Sequence, residues 1–454
     1  METLHTLFYF LVAIAVLVAF HEFGHFWVAR KTGVKVTRFA IGFGKRLWGY
    51  QKSPADTEFV ICAIPLGGYV KMVDEREEPV APEDLPFAFN RQSLAVRSAI
   101  VAAGPLVNLL LAIVLFWLVL VIGETGIRPI VGNVEADTLA AQAGFVEGDE
   151  IMRVNQKNTP TWATVLEQLV SRAIHGDQTI EISVKTMAGD EINRWITLTG
   201  DDIKSPEMLG KRLGFNPWMP KIQPIIGQLT SDGAAKAAGL QTGDLILSAD
   251  GVAVAEWLQW VDIVKSRPDQ EIKLLIERAE AQQEIRLTPR AEQQADGSVI
   301  GKIGAGVHIP PDTLQGMRVT YTLPVGEALR VASEKTWFYA ITTVKMIGKM
   351  FIGAASVENL SGPISIAQYA GQSAEMGFTA FLKFLGLVSV SLGVLNLLPI
   401  PILDGGHLLF FALEAIKGRP ISDRVQMYFQ QLGMFLLISL MMLSLVIDID
   451  RIAQ

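Results

Sequence analysis

Residues 18 to 30 read VAFHEFGHFWVAR, and His21, Glu22 and His25 within them are the side chains best suited to chemistry. Histidines four apart project from one face of a helix about a turn apart, so both can bind one metal ion with a carboxylate beside them. This H-E-x-x-H spacing is that of a zinc peptidase. The rival reading is a pair of core histidines with an ion-paired glutamate. The surroundings weigh against it: LFYFLVAIAVLVAFHEFGHFWVA is long enough to span a bilayer, and ionisable groups are costly there unless they have a function.

A catalytic zinc takes three protein ligands and leaves a fourth position for water. Cys62 is the only cysteine, so the ligands are His and carboxylate. The stretch Asn396 to His407, NLLPIPILDGGH, offers the third. Its prolines and glycines forbid a straight helix and free the backbone to bend inward. Asp404 is the acid presented there, with His407 a competing ligand and Glu414 a weaker one. Alternatively, Asp404 caps the next helix.

The elements that must position these groups are membrane spans. Half of the 454 residues are hydrophobic and 19% are charged, the balance of a membrane protein with a substantial water-soluble part. Apolar runs at residues 6 to 29, about 98 to 122, 378 to 400 and 427 to 447 each match the hydrocarbon thickness. The first lacks a basic leader and a small-residue cleavage site, so it reads as a retained helix rather than a signal peptide. Lys and Arg gather at 30 to 46, at Arg91 and Arg97, and at 417 to 424, which predicts that these segments are cytoplasmic. Both termini and the long middle region are then on the outer side. The net charge of -7 is spread over both signs without a basic block, which discounts nucleic acid as a partner.

After the first span, VKVTRFAIGFGKRLWGY and TEFVICAIPLGGYVKM predict strands or hairpins at the cytoplasmic membrane surface, marked by Gly42, Gly44, Gly67 and Gly68. Residues 74 to 90, acidic and rich in proline, read as a linker or mobile loop. Beyond the second span the chain repeats with a period of 95: IRPIVGNV (127 to 134) matches IQPIIGQL (222 to 229), AQAGFVEGDEI (141 to 151) matches KAAGLQTGDLI (236 to 246), and Trp162 matches Trp257. The A-G-[LF]-x-x-G-D-x-I pattern resembles PDZ domains, which bind peptides as an added strand. A pair of spacers that binds no peptide is the plainer alternative. Residues 323 to 352 predict an amphipathic helix, broken by Asn359, Gly362 and Pro363, with a short helix before the third span.

HEFGH in a first span, PLGGYVKM, the tandem repeat, NLSGPISIA (359 to 367) and NLLPIPILDGGH together resemble the site-2 protease family of intramembrane zinc metalloproteases over essentially the whole chain. The expected fold is a polytopic α-helical membrane protein of four transmembrane helices with a membrane-associated β region, carrying two tandem PDZ domains. Its parts are the first helix (1 to 29), the β region and loop (30 to 97), the second helix (98 to 122), PDZ domains at 127 to 220 and 221 to 310, an outer helical segment (311 to 377), and the last two helices (378 to 454). The resemblance implies zinc ligands at His21, His25 and Asp404, a catalytic Glu22 and substrate contact at Asn396. It also implies a bacterial inner membrane location and single-span substrates, an anti-sigma factor already trimmed on the outer side and remnant signal peptides among them, in envelope stress signalling.

The residues themselves support a mechanism in which zinc activates water and Glu22 takes its proton. Arg30 marks the cytoplasmic end of the span, which sets His21 roughly 13 Å deep at about 1.5 Å per residue, so water must enter from that side. A transmembrane substrate must unwind before it is cut, and its freed amides need partners, which a strand edge among the glycine-marked strands at 36 to 70 would supply. A membrane-anchored PDZ adaptor and a metal transporter are the competing classes. Neither needs a base at Glu22, and the spans carry no inverted repeat.

Overall fold

The computed structural model describes residues 2–175, 179–197, 212–293, 298–310, 313, 316–352 and 362–453. The chain divides into two compact units, Met1–Thr125 with Thr320–Gln454, and Gly126–Val319.

The first unit contains helices α1 (Glu2–Lys31), α2 (Leu94–Ile122), α3 (Val325–Phe351), α4 (Pro363–Glu375), α5 (Phe378–Leu397), α6 (Asp404–Lys417) and α7 (Asp423–Ala453). Within α1, α2, α5 and α7 lie 4 segments long and apolar enough to cross a membrane, as the sequence predicts. Helix α2 starts where Ser93 accepts a hydrogen bond from the Val96 amide at 3.4 Å, satisfying one of the amide donors that a helix leaves free at its start. Along one side it packs through Leu111, Leu115 and Val119 with Ala13 and Leu17 of α1 and Phe381 and Leu385 of α5. Along another, Ala112, Phe116 and Leu120 meet Ala328 and Ala332 of α3 and Val390 and Val394 of α5. Helix α2 is therefore the post on which α1 and α5 assemble, and its small residues let the partners come close. Large apolar side chains along α7, including Phe435, Leu436 and Met441, stay exposed, the face a helix shows to lipid.

Just past α2, Glu124 is buried and accepts from Lys335 Nζ at 3.0 Å, from Tyr321 Oη at 2.8 Å and from Lys383 Nζ. It joins the end of α2 to α3 and α5. Burial pushes its carboxyl up, but the two ammonium groups outweigh that and bring it down to about 2. A carboxylate depressed in the folded state stabilises fully above its ordinary value near 4.5, and the contribution is lost as pH falls from there toward about 2. Glu124→Gln takes the negative charge away from the buried Lys335 and the partly buried Lys383, so it should destabilise the unit by about 3–5 kcal/mol. Thermal unfolding at pH 7 checks this, and an unchanged midpoint would show that the cluster contributes nothing.

Between α1 and α2 lie β1 (Val36–Tyr50) and β2 (Glu58–Met72). The antiparallel register runs from Val36 beside Met72 to Ile41 beside Gly68, and again from Arg46 beside Cys62 to Tyr50 beside Phe59. Residues Arg38 to Ile41 also lie beside Glu58 to Ile61, so both strands fold back on themselves. The result is a four-ribbon sheet with residues 68 to 72 on an outer edge. The predicted strands are present. The charges of the segment after them, read as a linker or mobile loop, are paired: Arg76 with Asp74, Glu75 accepting from Arg91 at 2.7 Å, and Lys35 Nζ reaching Asp84 at 2.7 Å. Charges that read as loop composition are here the stitching that holds the loop to the sheet.

Helix α5 stops at Leu397, three residues before the expected end of the span. Leu398 is extended (φ -63°, ψ 144°), the conformation that Pro399 imposes on the residue before it. Helices α3 and α4 match the predicted amphipathic and short helices. Of the three predicted helix breakers between them, Gly362 and Pro363 start α4, while Asn359 lies outside the described residues.

In the second unit the sequence repeat is a structural repeat. The strands Val131–Val134, Glu150–Val154, Thr179–Lys185 and Glu191–Thr197 with the helix Trp162–His175 recur as Ile226–Leu229, Leu245–Ala249, Ile272–Arg278 and Ala281–Leu287 with the helix Trp257–Lys265. Each copy builds a four-stranded sheet of the same order. Each encloses its own core, around Ile151, Ile182 and Leu169 in the first and Ile246, Leu274 and Trp260 in the second. The repeated G-D pair has a structural reason. Asp149 and Asp244 are almost fully buried, accept from the backbone amides of Val146 and Gln241, and pair with Arg194 at 2.8 Å and Arg278 at 2.6 Å.

Candidate active site

His21, Glu22 and His25 occupy successive positions on the inner face of α1, and Asp404 stands in the first turn of α6. The break between α5 and α6 brings Asp404 to the histidines: its Oδ2 is 3.2 Å from His21 Nε2 and 3.6 Å from His25 Nε2, and the two Nε2 atoms are 3.2 Å apart. Donors held about 2.0–2.1 Å from one tetrahedral ion are separated by roughly 3.3 Å. The three atoms therefore form one face of a tetrahedron of the size that zinc requires, and two imidazoles with a carboxylate are a donor set that it accepts.

The rings are oriented from outside. His25 Nδ1 donates to the Ile100 carbonyl of α2 at 2.8 Å, which leaves the Nε2 lone pair for a metal. His21 Nδ1 lies 3.2 Å from the side-chain amide of Asn108, which is completely buried. Among the described residues Asn108 Oδ1 has no hydrogen-bond partner. Turning the amide over sets that oxygen against His21 Nδ1–H and fixes His21 in the same tautomer as His25. Asn108 was not singled out from the sequence. The signal was a lone amide, PLVNLL, inside an otherwise apolar span.

Close approach of α1 to α2 depends on two glycines. A Cβ on Gly24 would stand 2.5 Å from the Ala103 carbonyl oxygen, and one on Gly104 would overlap His25 Nε2 and lie 2.8 Å from His21 Cε1. Gly104→Ala should push both rings out of register and lower metal affinity by at least an order of magnitude, while helix content stays unchanged. Metal titration beside circular dichroism tests this, and wild-type affinity would show that the rings can give way.

Glu22 is buried and lines the same cavity, of about 820 Å³, as the three donor residues, but it is outside the donor group. Gly68 is its neighbour across the cavity wall, where a Cβ would lie 2.8 Å from Glu22 Cγ. The outer sheet edge thus reaches the site, with Gly68, Tyr69 and Val70 in the wall. Among the described residues no further strand pairs with 68 to 72. Gly42, Gly44 and Gly67 are not in the wall. They have positive φ (89°, 84° and 133°) and serve the fold-back of the two strands. Asn396 is half-buried near the end of α5 and also lies outside the wall.

Of the rival ligands, Glu414 forms a bidentate pair with Arg97 at 2.6 and 3.2 Å, which ties α6 to α2 and removes that carboxylate from contention. His407 lines the cavity one turn beyond Asp404 with its ring edge on Phe410, outside the donor group. Asp404 does not cap α6; its carboxylate points at the histidines.

The sequence matches the model of peptidase family M50 over residues 9–440. The chain belongs to that family. It is 43% identical over 450 residues to the regulator of sigma-E protease RseP of Escherichia coli (strain K12), covering 98% of each chain. It is 42% identical over 454 residues to a protein of Neisseria meningitidis serogroup A whose name provisionally makes it a zinc metalloprotease, covering 99% of this chain and 100% of that one. Among solved structures, a PDZ domain of an SdrC-like protein from Listeria monocytogenes aligns at 22% identity over 20% of this chain and 88% of that one, with a TM-score of 0.17. As an M50 member the chain is a membrane metalloprotease.

Proposed function

We propose that the protein is a zinc metalloendopeptidase of the bacterial inner membrane that cuts single-span membrane proteins within their spans, at a centre made by His21, His25, Asp404 and Glu22. The observation that carries this reading is the tetrahedral face of donors, 3.2, 3.2 and 3.6 Å on its sides, two of them on a helix long enough to cross a membrane and the third, Asp404, brought to it by α6.

A zinc ion so held supplies Lewis acidity, polarising the scissile carbonyl and acidifying water. The remaining work falls to the chain. Glu22 takes the proton of the attacking water and passes it to the leaving amine. Ile100 and Asn108 keep the imidazoles in the ligating tautomer. The free edge at 68 to 72 accepts the unwound substrate as an added strand, satisfying amides that a dry setting would leave unpaired. Gly42, Gly44 and Gly67 shape the sheet that presents this edge, and Asn396 contacts substrate near the α5 break. Water reaches the site past Asp74, Arg76 and Glu77, polar residues of the cavity wall.

Relatives bearing the name regulator of sigma-E protease support a substrate in that pathway, an anti-sigma factor already trimmed on its outer side. The clustering of Lys and Arg supports an active site opening to the cytoplasm, with the repeated domains and both termini outside. Reconstituted enzyme and a tagged single-span protein test the reading: mass spectrometry of the products should locate the cut inside the span. Cleavage confined to the extramembrane parts would overturn it.

The two repeats act, on this reading, as PDZ domains that filter substrates by the size of their outer portion. Deleting residues 127 to 310 should then let the enzyme cut a substrate with a folded outer domain as readily as a trimmed one. Poor cleavage of the trimmed substrate by the deletion would instead mean that peptide capture is required. An unchanged preference would leave the repeats as spacers.

A further inference from the structure

A second cavity, of about 480 Å³, opens at the end of α1 and shares no lining residue with the active-site cavity. Three cations face it: Arg30 and Lys31 from the last turn of α1, and Lys52 from the turn between β1 and β2. Among the described residues none of the three makes an ion pair; Arg30 makes one long hydrogen bond, 3.4 Å to Thr57 Oγ1. That hydroxyl is itself committed to the Val36 carbonyl at 2.8 Å. The one acid in the wall, Asp56, accepts from Ser53 Oγ at 2.7 Å. The cavity therefore has a net positive charge with unspent N–H donors, and its remaining walls are aromatic: Phe26, Trp27, Tyr50 and Phe59.

Its position decides what that charge is for. Arg30 and Lys31 end a helix long enough to cross a membrane, so the cavity stands at headgroup depth, where Trp and Tyr rings collect. Below it, Phe20, Phe23 and Trp27 are exposed (43%, 47% and 51%). At 100° per residue these three and Arg30 fall on one side of α1, so an apolar track leads from the bilayer interior to the cationic pocket. A free phosphate would use the cations alone. A phospholipid uses both, its phosphate among Arg30, Lys31 and Lys52 and an acyl chain along the aromatic track.

We propose that this cavity is a binding site for an anionic phospholipid, held by its phosphate at Arg30, Lys31 and Lys52 with one chain against Phe20, Phe23 and Trp27. An anionic headgroup is favoured over a zwitterionic one, because the pocket offers three cations and a single, already engaged, carboxylate. The site fixes the end of the helix that carries His21, Glu22 and His25 against the β1–β2 turn.

Native mass spectrometry of the full-length protein, released from detergent with equal amounts of phosphatidylglycerol and phosphatidylcholine, is the test. Wild type should retain phosphatidylglycerol preferentially. Arg30→Gln and Lys52→Gln should each cut that preference about five-fold, the effect of one interfacial cation. Both residues are exposed, so the fold tolerates their change, and unchanged phosphatidylcholine adducts would show this. A parallel arm adds millimolar inorganic phosphate. If phosphate displaces phosphatidylglycerol completely, the ligand is a free anion and the lipid assignment fails. Wild-type preference in both variants would likewise overturn the proposal.

Discussion

Glu22→Gln is expected to slow peptide-bond hydrolysis by about 10²–10⁴-fold while leaving the metal bound, making it the largest effect available from one isosteric change. Glutamine keeps the volume of the side chain, so the packing of Gly68 against Glu22 survives. The donor group is His21, His25 and Asp404 without Glu22, so the variant loses none of the donors. Only the base is removed. The variant should therefore still bind its substrate and accumulate it uncut, which a crosslinking assay beside a cleavage assay would detect. Cleavage within a few-fold of wild type would mean that the water's proton goes elsewhere, and the acid–base scheme would have to be abandoned. If metal content falls along with activity, Glu22 supports the metal site and its role as a base is not isolated by this variant.

Much of this centre is legible in the sequence because its parts obey local rules. The i, i+4 spacing of His21 and His25 states that they share a helix face, and the apolar run around them states that the helix crosses a membrane. Pro399, Pro401, Gly405 and Gly406 state that the chain breaks before Asp404, although not where it goes. That Asp404 returns to α1 depends on contacts of α6 that no local pattern encodes, such as the Arg97–Glu414 pair between residues far apart in the chain. The outer shell was opaque for the same reason. Asn108 is one polar letter in a span, and its meaning comes from facing His21 across two helices. Gly104 reads as an ordinary small residue of a membrane helix until the histidines are set against it. In the loop at 74 to 90 composition counts charges without pairing them, and the fold makes partners of Glu75 and Arg91 and of Asp84 and Lys35. The four glycines at 42, 44, 67 and 68 looked alike in sequence. Of the four only Gly68 lies against Glu22, and the others supply backbone geometry. The repeat was read correctly because both copies build their sheets from the same local signals, a buried Asp after Gly and a Trp that begins a helix.

His25→Ala and Asp404→Ala should each empty the metal site and abolish hydrolysis, since either leaves two donors where a zinc centre needs three. His25 carries the sharper expectation. Its ring bridges the Ile100 carbonyl on one side and the donor triangle on the other, so its removal takes away a ligand and the link that docks it to α2. Asp404→Asn should be milder, because the amide keeps an oxygen at the same place but loses the charge that offsets the cation. Asn108→Ala should be milder again: it removes no donor and unlocks only the His21 tautomer, which corresponds to a loss of about 10–100-fold in affinity. Zinc-to-protein ratios measured across a chelator series would rank the four variants. The expected order, from weakest binding, is His25→Ala with Asp404→Ala, then Asp404→Asn, then Asn108→Ala. Full zinc occupancy in Asp404→Ala would transfer the third ligand to His407, the remaining candidate in the cavity wall, because Glu414 is committed to Arg97. Equal retention in Asp404→Asn and wild type would show that charge neutralisation contributes little, and that α6 serves chiefly to bring an oxygen within reach of the two histidines.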